Sequence, residues 1–486
     1  MNAIRKIDFA LVGILVLAAG LRCYDYREIG TRFWDEAYYI SEARQMPAVF
    51  MPSLGFKAGN LIFFWAANPV LGRSSVTPLK VSLLTGVLTC LLLYLLGRRL
   101  FSRQAGLWAA LVFAVLAYAL HYSRSALVES NMMFLITLTL LCLAYWPRLP
   151  VVLLTGLFAG WTLSINQKAG FILLLPFLWN ALKWLETRDR GALPGAATRQ
   201  ALFLVIALAV FFGINHLYPP QLPPFHHGNY FMKGLFQKAR PDFLLFRTGL
   251  IGLLFTLFFT LGLIRAIKRR DAASLFVSLW FLPLFVVWSF NRHLEPRDFS
   301  GMVPAFALLA GLGIESFSRW GQQRFPAFRS AWGPALALWV TVYGVWASRD
   351  TWQLKSDVLP MAQYMNANRV PGVVCGQPLY SLYGIPVFIL TPERPASPVV
   401  LDSLARAGWM LATDYMLGKT LLDNPPAWLA RLLASPPEFE FAASASVNLP
   451  TVLETFQLDQ AHRILQAPWA RHIRLYALKN GAPFSE

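Results

Sequence analysis

Eleven stretches of this chain are apolar enough to enter a lipid bilayer, and that pattern leaves few folds open. They fall at about residues 8–22, 77–97, 104–121, 128–146, 150–166, 169–185, 200–217, 244–266, 274–290, 299–317 and 331–348, close to spanning length once tilt and short ends are allowed. In hydrocarbon every backbone polar group needs an internal partner, so segments of this kind fold as helices. A further apolar run, residues 58–71 (AGNLIFFWAANPVL), is too short to cross and predicts an interfacial or re-entrant helix. Charged residues make up 14% of the chain and hydrophobic ones 56%, where a soluble domain is about a quarter charged. The expected fold class is a polytopic α-helical membrane protein of about eleven transmembrane helices.

The net charge is +18. In a soluble protein that excess would suggest nucleic acid, but here it is explained by topology and anionic lipid, and no nucleic-acid partner is expected. Arg5/Lys6, Arg98/Arg99/Arg103, Arg148, Lys183/Arg188/Arg190/Arg199, Lys268/Arg269/Arg270 and Arg319/Arg324/Arg329 all fall on one side if the spans alternate. The positive-inside rule makes that side the cytoplasm, and an odd span count puts the tail on the other side. The N-terminal apolar run lacks a small-residue cleavage site before Arg22 and is expected to stay as the first helix. Cys23, Cys90, Cys142 and Cys375 spell no disulfide framework.

Two domains are expected: a transmembrane domain, 1–348, whose first outer loop is 23–76, and a C-terminal domain, 349–486. The tail carries Pro/Gly punctuation and alternates helix-like pieces (LKSDVLPMAQYMNAN, PAWLARLLAS) with strand-like ones (GVVCGQ, RHIRLYALK). That alternation predicts a small α/β domain. Its lack of an Asn-X-Ser/Thr sequon favours the periplasm of a bacterial inner membrane over a secretory pathway.

In this topology five outer connections collect polar residues at one membrane depth. They are Asp35, Glu36 and Lys57 in the first loop; His121, Arg124, Glu129 and Asn131 around HYSRSALVES; Asn166, Gln167 and Lys168; His216, His226, His227 and Lys233; and Arg292, His293, Glu295, Arg297 and Asp298. Taken singly, Arg124 with Glu129 reads equally well as a structural ion pair, Lys168 as a snorkelling side chain and His226-His227 as exposed loop residues. Taken together they predict a polar cavity, because ionisable groups at membrane depth default to function. Converging cations suit a phosphate or pyrophosphate. A neighbouring carboxylate can take a proton from an attacking hydroxyl. That pairing fits transfer of a group from a lipid phosphate to an acceptor alcohol.

The stretch RFWDEAYYISEAR, residues 32–44, resembles the Asp-Glu first outer loop of C-type membrane glycosyltransferases, in the branch of protein O-mannosyltransferases and bacterial aminoarabinose (lipid A) transferases. FKAGNLIFFW resembles that branch's Lys-led interfacial helix, with Ala58-Gly59-Asn60 where prolines are usual. SRSALVESNMMFLITLTL resembles its fourth span, with Glu129 in place of Asp. GLFAGWTLSINQKAGFILLLPFL resembles its Gly-rich fifth span and Lys turn, and PRDFSGMVPAFALLAGLG its late span, with Asp298-Phe299 where Tyr is usual. The resemblance covers roughly residues 1–320. It implies a polyprenyl-phosphate sugar donor, an acceptor that is protein, lipid A or polysaccharide, and inversion at the anomeric carbon.

By that resemblance Asp35 is the general base, and Glu36 or Glu129 orients the acceptor or tunes the base. Lys57, Arg124, Lys168, Arg292 and Arg297 are candidates for the donor phosphate, and Tyr38, Tyr39, His226 and His227 would line the substrate. No cofactor is required. A divalent metal is a secondary reading, with His226 or His227 and Glu36 or Glu129 as donors. Two other functions compete: a polysaccharide polymerase or ligase using a lipid-diphosphate donor, and a lipid-linked sugar flippase or transporter. The former usually carries a large outer loop between spans, whereas the outer mass here is C-terminal. The latter usually shows internal repeats and midplane charges, neither of which is visible. A single cysteine introduced at residue 480 should react with an impermeant maleimide added to spheroplasts; labelling only after permeabilisation would reverse the tail.

Overall fold

The computed structural model describes residues 8–29, 34–45, 57–146, 148–188, 193–217, 251–290, 296–353, 358–376, 378–390, 397–413, 434, 438–442 and 472–478. By packing the chain forms two compact units, residues 1–24 with 42–349 and residues 25–41 with 350–486. The sequence division kept 25–41 with the transmembrane part; by contacts this strip groups with the C-terminal residues.

The first unit is helical. In chain order it contains α1 (Phe9–Cys23), the C-terminal end of α2 (Trp34–Gln45), α3 (Ala58–Leu71), α4 (Thr77–Leu100), α5 (Arg103–Val115), α6 (Ala117–Ser123), α7 (Glu129–Leu143) and α8 (Leu149–Ile165). It continues through α9 (Leu175–Thr187), α10 (Leu193–Leu217), α11 (Leu253–Arg269), α12 (Ala272–Ser289), α13 (Val303–Arg324) and α14 (Arg329–Ala347). Each of the eleven apolar stretches is largely helical over its described residues. Two of them begin as 3-10 turns, Gln167–Leu173 before α9 and Pro296–Gly301 before α13. Among the described residues four helical segments are by themselves long and apolar enough to cross a bilayer, and the α5–α6 pair makes a fifth if it is one bent span. Helix ends follow local chemistry. Pro78 opens α4 and Arg98 and Arg99 close it. Ser102 Oγ accepts from Ala105 N at 3.0 Å to cap α5, and Asp271 Oδ1 accepts from Ser274 N at 2.8 Å to cap α12. Outward faces stay apolar, as Val205 and Phe212 on α10 illustrate, the pattern of a lipid-facing surface.

The expected third span, 104–121, is not one rod. α5 and α6 meet at Leu116 with a bend of 61°, in a stretch without proline or glycine. A break strands backbone carbonyls that an apolar slab cannot hydrate. Arg22 answers two of them: Nη2 donates to Phe113 O at 3.2 Å and Nη1 to Ala114 O at 3.1 Å. Inserted side-chain donors are one of the identifiable causes of sharp helix bends. Arg22 is completely buried. Its seat exists because α4 carries Gly86 there: a Cβ would stand 2.7 Å from Arg22 Nε and 2.5 Å from Ser123 Cβ. Arg124, one residue past α6, returns the arrangement. Its Nη1 donates to Leu21 O, Arg22 O and Tyr24 O at 3.2, 3.0 and 2.6 Å, capping the end of α1.

In the second unit, α15 (Val358–Ala367) and α16 (Pro398–Arg406) accompany β1 (Val373–Cys375), β2 (Val387–Ile389), β3 (Met410–Ala412), β4 (Phe439–Ala442) and β5 (His472–Ala477). The sheet order is β2-β1-β3-β5-β4. β1 runs parallel to β2 and β3, while β5 runs antiparallel to β3 and β4. Val374, Leu411 and Tyr476 from the three central strands pack with Leu401 and Ala405 of α16. The helix expected at 354–368 and the strands expected at 372–377 and 471–479 are present over their described residues. Apart from Ala434, the expected helix PAWLARLLAS lies outside the described residues.

Replacing Arg22 by Met should lower stability by about 2–3 kcal/mol, because two carbonyls lose a charged donor. Gly86→Leu should cost a similar amount by displacing the guanidinium. Thermal unfolding in detergent checks both against the exposed control Arg98→Met.

Candidate functional site

Short α3 is pinned to the bundle through its first turn. Gly59 meets the end of α8 closely enough that a Cβ would lie 2.9 Å from Ser164 C. Trp161 Nε1 donates to Gly59 O at 2.9 Å. Asn60 Oδ1 accepts from Asn131 Nδ2 of α7 at 2.8 Å. Thr85 Oγ1 of α4 donates to Asn131 Oδ1 at 2.9 Å, and Ser130 Oγ donates to Ser82 O at 2.8 Å. Buried polar groups of this kind are costly unless mutually satisfied, and satisfied they fix register.

The network draws together the N-termini of α3 and α7 and the C-terminus of α8. Lys57 immediately precedes α3, and Glu129 is the first residue of α7, 2% exposed. A carboxylate at a helix N-terminus is favoured by the helix dipole. Asn166 ends α8, and its Oδ1 accepts from Lys168 N at 3.0 Å, setting the 3-10 turn that carries Lys168.

Lys168 Nζ is hydrogen-bonded and ion-paired to Asp298 Oδ1 and lies 5.6 Å from the centroid of the Trp288 ring. The Asp298 side chain is 2% exposed and that of Lys168 39%. Asn166, Lys168, Trp288, Arg297 and Asp298, with Met132 of α7, line one small cavity of about 10 Å³, roughly the space of one water. The turn holding Arg297 and Asp298 is fixed by Ser300 Oγ donating to Arg297 O at 2.7 Å and Trp280 Nε1 donating to Gly301 O at 3.1 Å.

The structure thus assembles Lys168 and Arg297 around one cavity and draws the helix ends bearing Lys57 and Glu129 toward that end of the bundle. Arg124 is engaged with the carbonyls that end α1. In α2, Glu36, Tyr39, Ile40 and Ala43 are buried on one helical face. The Tyr38 and Tyr39 rings meet edge-on at 5.7 Å. Asp35 lies in the first turn of that helix, its side chain outside the described residues, as are Arg292, His226 and His227. Among the described residues no cluster of three or more His, Cys, Asp or Glu is arranged to hold a metal ion.

Asp298 was expected among the polar residues of the cavity, without a role of its own. Its signal was present as an acid replacing the usual Tyr, and the structure makes it the counter-ion of Lys168. Likewise the departure Ala58-Gly59-Asn60 now has a reason: Gly59 permits close approach and Asn60 reaches Asn131.

No family model and no curated protein matches this sequence. Solved structures match along its length. ArnT from Cupriavidus metallidurans bound to undecaprenyl phosphate superposes with a TM-score of 0.62 at 15% identity, over 98% of this chain and 100% of that one. The archaeal oligosaccharyltransferase AglB from Archaeoglobus fulgidus, in complex with an inhibitory peptide and a dolichol-phosphate, gives 0.58 at 12% identity, over 84% of this chain and 69% of that one. The apo form of ArnT gives 0.61 at 14% identity, over 98% of each chain. The chain shares its fold with these solved structures.

Lys168→Met should destabilise the protein by about 1–3 kcal/mol, since it removes the Lys168 ammonium from the enclosed Asp298 carboxylate. Adding Asp298→Asn should return most of that loss. Thermal unfolding of the single and double variants measures the coupling.

Proposed function

We propose that this protein is an inverting glycosyltransferase that moves a sugar from a polyprenyl-phosphate donor to an acceptor hydroxyl at the periplasmic face of a bacterial inner membrane. The observation that carries the reading is the end-to-end fold match to a structure holding undecaprenyl phosphate. The cavity where Lys168 and Arg297 meet at the end of the bundle supports it. The span count of about eleven, the cytoplasmic N-terminus and the periplasmic C-terminal domain belong to the same proposal.

In this scheme the acceptor hydroxyl gives its proton to the Asp35 carboxylate and its oxygen bonds to the anomeric carbon from the face opposite the phosphate. The bond from that carbon to the phosphate oxygen breaks, and polyprenyl phosphate leaves with the electron pair. Glu36 or Glu129 orients the acceptor or tunes Asp35. Lys57, Lys168 and Arg297, with Arg292, neutralise the departing phosphate, where pre-oriented cations are most effective. Lys168 already has a carboxylate partner in Asp298, so the donor phosphate would take over part of that interaction on binding. Hexose or pentose, and protein, lipid A or polysaccharide as acceptor, would be set by pocket shape.

Purified protein given short-chain polyprenyl-phosphate sugars should release free polyprenyl phosphate from one donor. Asp35→Asn should reduce that release by about a thousandfold or more with the fold intact, within the range for loss of a general base and its electrostatic role. Lys168→Ala should act chiefly by raising KM. Near-wild-type turnover in Asp35→Asn would remove Asp35 as base. Release only from lipid-diphosphate donors would favour the polymerase or ligase reading.

A further inference from the structure

At the opposite end of the helical unit, the inner turns of four helices enclose an apolar groove of about 410 Å³. Leu17 of α1, Leu107 of α5 and Ala337 of α14 line it, with Gln104, Ser318 and Gln322 among its polar lining residues. Gln104 lies in the first turn of α5 and Ser318 and Gln322 in the last two turns of α13, next to the basic connections, while Leu17 and Ala337 lie midway along α1 and α14. The two outer walls are peripheral helices. Val12 and Val16 on α1 and Leu338 and Val342 on α14 are exposed apolar residues, so lipid has access from the side.

The depth of this end is marked by aromatics around the α13–α14 turn. Phe317 and Trp320 stack at 5.6 Å, and Phe325 and Trp332 at 5.7 Å; Trp320, Phe325 and Phe328 are exposed. Such clusters settle at the headgroup level of a bilayer. The cations there are of two kinds. Arg103 is paired with Asp8, and Arg319 with Glu315. Arg324 and Arg329 are exposed and make no ion pair among the described residues. The sequence from Ser316 to Arg349 contains no Asp or Glu.

We propose that this groove binds one acyl chain of an anionic phospholipid, whose phosphate is held by the Arg324 and Arg329 guanidiniums. The complementarity is twofold: an apolar trough with a polar mouth for the chain and ester region, and two uncommitted guanidiniums for a phosphate, the group they chelate best. A zwitterionic lipid offers the same chains, but its own cation offsets the phosphate charge. The site is separate from the Lys168 cavity and does not depend on the transferase reading.

The test uses full-length protein delipidated in a neutral detergent, with thermal unfolding followed after adding phosphatidylglycerol, phosphatidylcholine or glycerol phosphate. Phosphatidylglycerol should raise the midpoint by roughly 4 °C, as ligand linkage gives for a site near saturation, and the other two by less than half of that. Arg324→Gln/Arg329→Gln, at exposed positions that leave packing untouched, should lose the phosphatidylglycerol increment, as should Ala337→Trp, which fills the groove. Native mass spectrometry should show one retained phosphatidylglycerol on the wild type and none on the double arginine variant. An undiminished increment in the double arginine variant overturns the proposal, whatever the groove variant does. Equal increments from phosphatidylcholine overturn the anionic assignment, and an equal increment from glycerol phosphate overturns the role of the groove.

Discussion

The helical unit depends on a guanidinium placed where an apolar slab leaves carbonyls stranded. Without Arg22, the bend between α5 and α6 would expose Phe113 O and Ala114 O to hydrocarbon, and a straight helix would be the better solution. With it, α6 leaves the axis of α5 and carries His121 and Arg124 to the start of α7. Arg124 then closes α1 over the guanidinium that caused the bend. Each arginine holds the other's helix through backbone oxygens.

That clasp explains how a bundle with few charges can still bring polar groups together at one end. The Asn60–Asn131–Thr85 network sets the depth of α3 against α4 and α7, and the Asn166 turn sets Lys168. Lys57, Glu129 and Lys168 all stand at helix ends or in the turn that follows. The rigid parts fix position, while the residues with chemistry occupy the ends, where backbone groups are already unpaired and polar side chains are tolerated.

Much of this was legible in the sequence. The eleven apolar stretches, the short helix at 58–71 and the alternating tail each rest on a period or a length that a single chain displays, and the Asp-Glu loop and the Lys168 turn stood out because charge is scarce. The bend at Leu116 was not legible. Nothing in FAVLAYALHYS breaks a helix locally, and its cause lies 92 residues away in Arg22. Arg124 bonds the carbonyls that end α1, and a set of backbone carbonyls leaves no mark in sequence. The pairing of Asp298 with Lys168 was hidden for a related reason: the two are 130 residues apart in chain order.

The separation of Arg22 from its acceptors also constrains how the protein is made. α1 is synthesised before α5 and carries a guanidinium whose carbonyl partners, in α5, do not yet exist. Until they emerge, that charge is better kept near the membrane surface, so α1 would enter the bilayer shallow. It would reach its final depth when the bent pair arrives and Gly86 of α4 offers the space between them. Insertion of this chain is then a sequence of adjustments, in which the first helix is the last of the early group to settle.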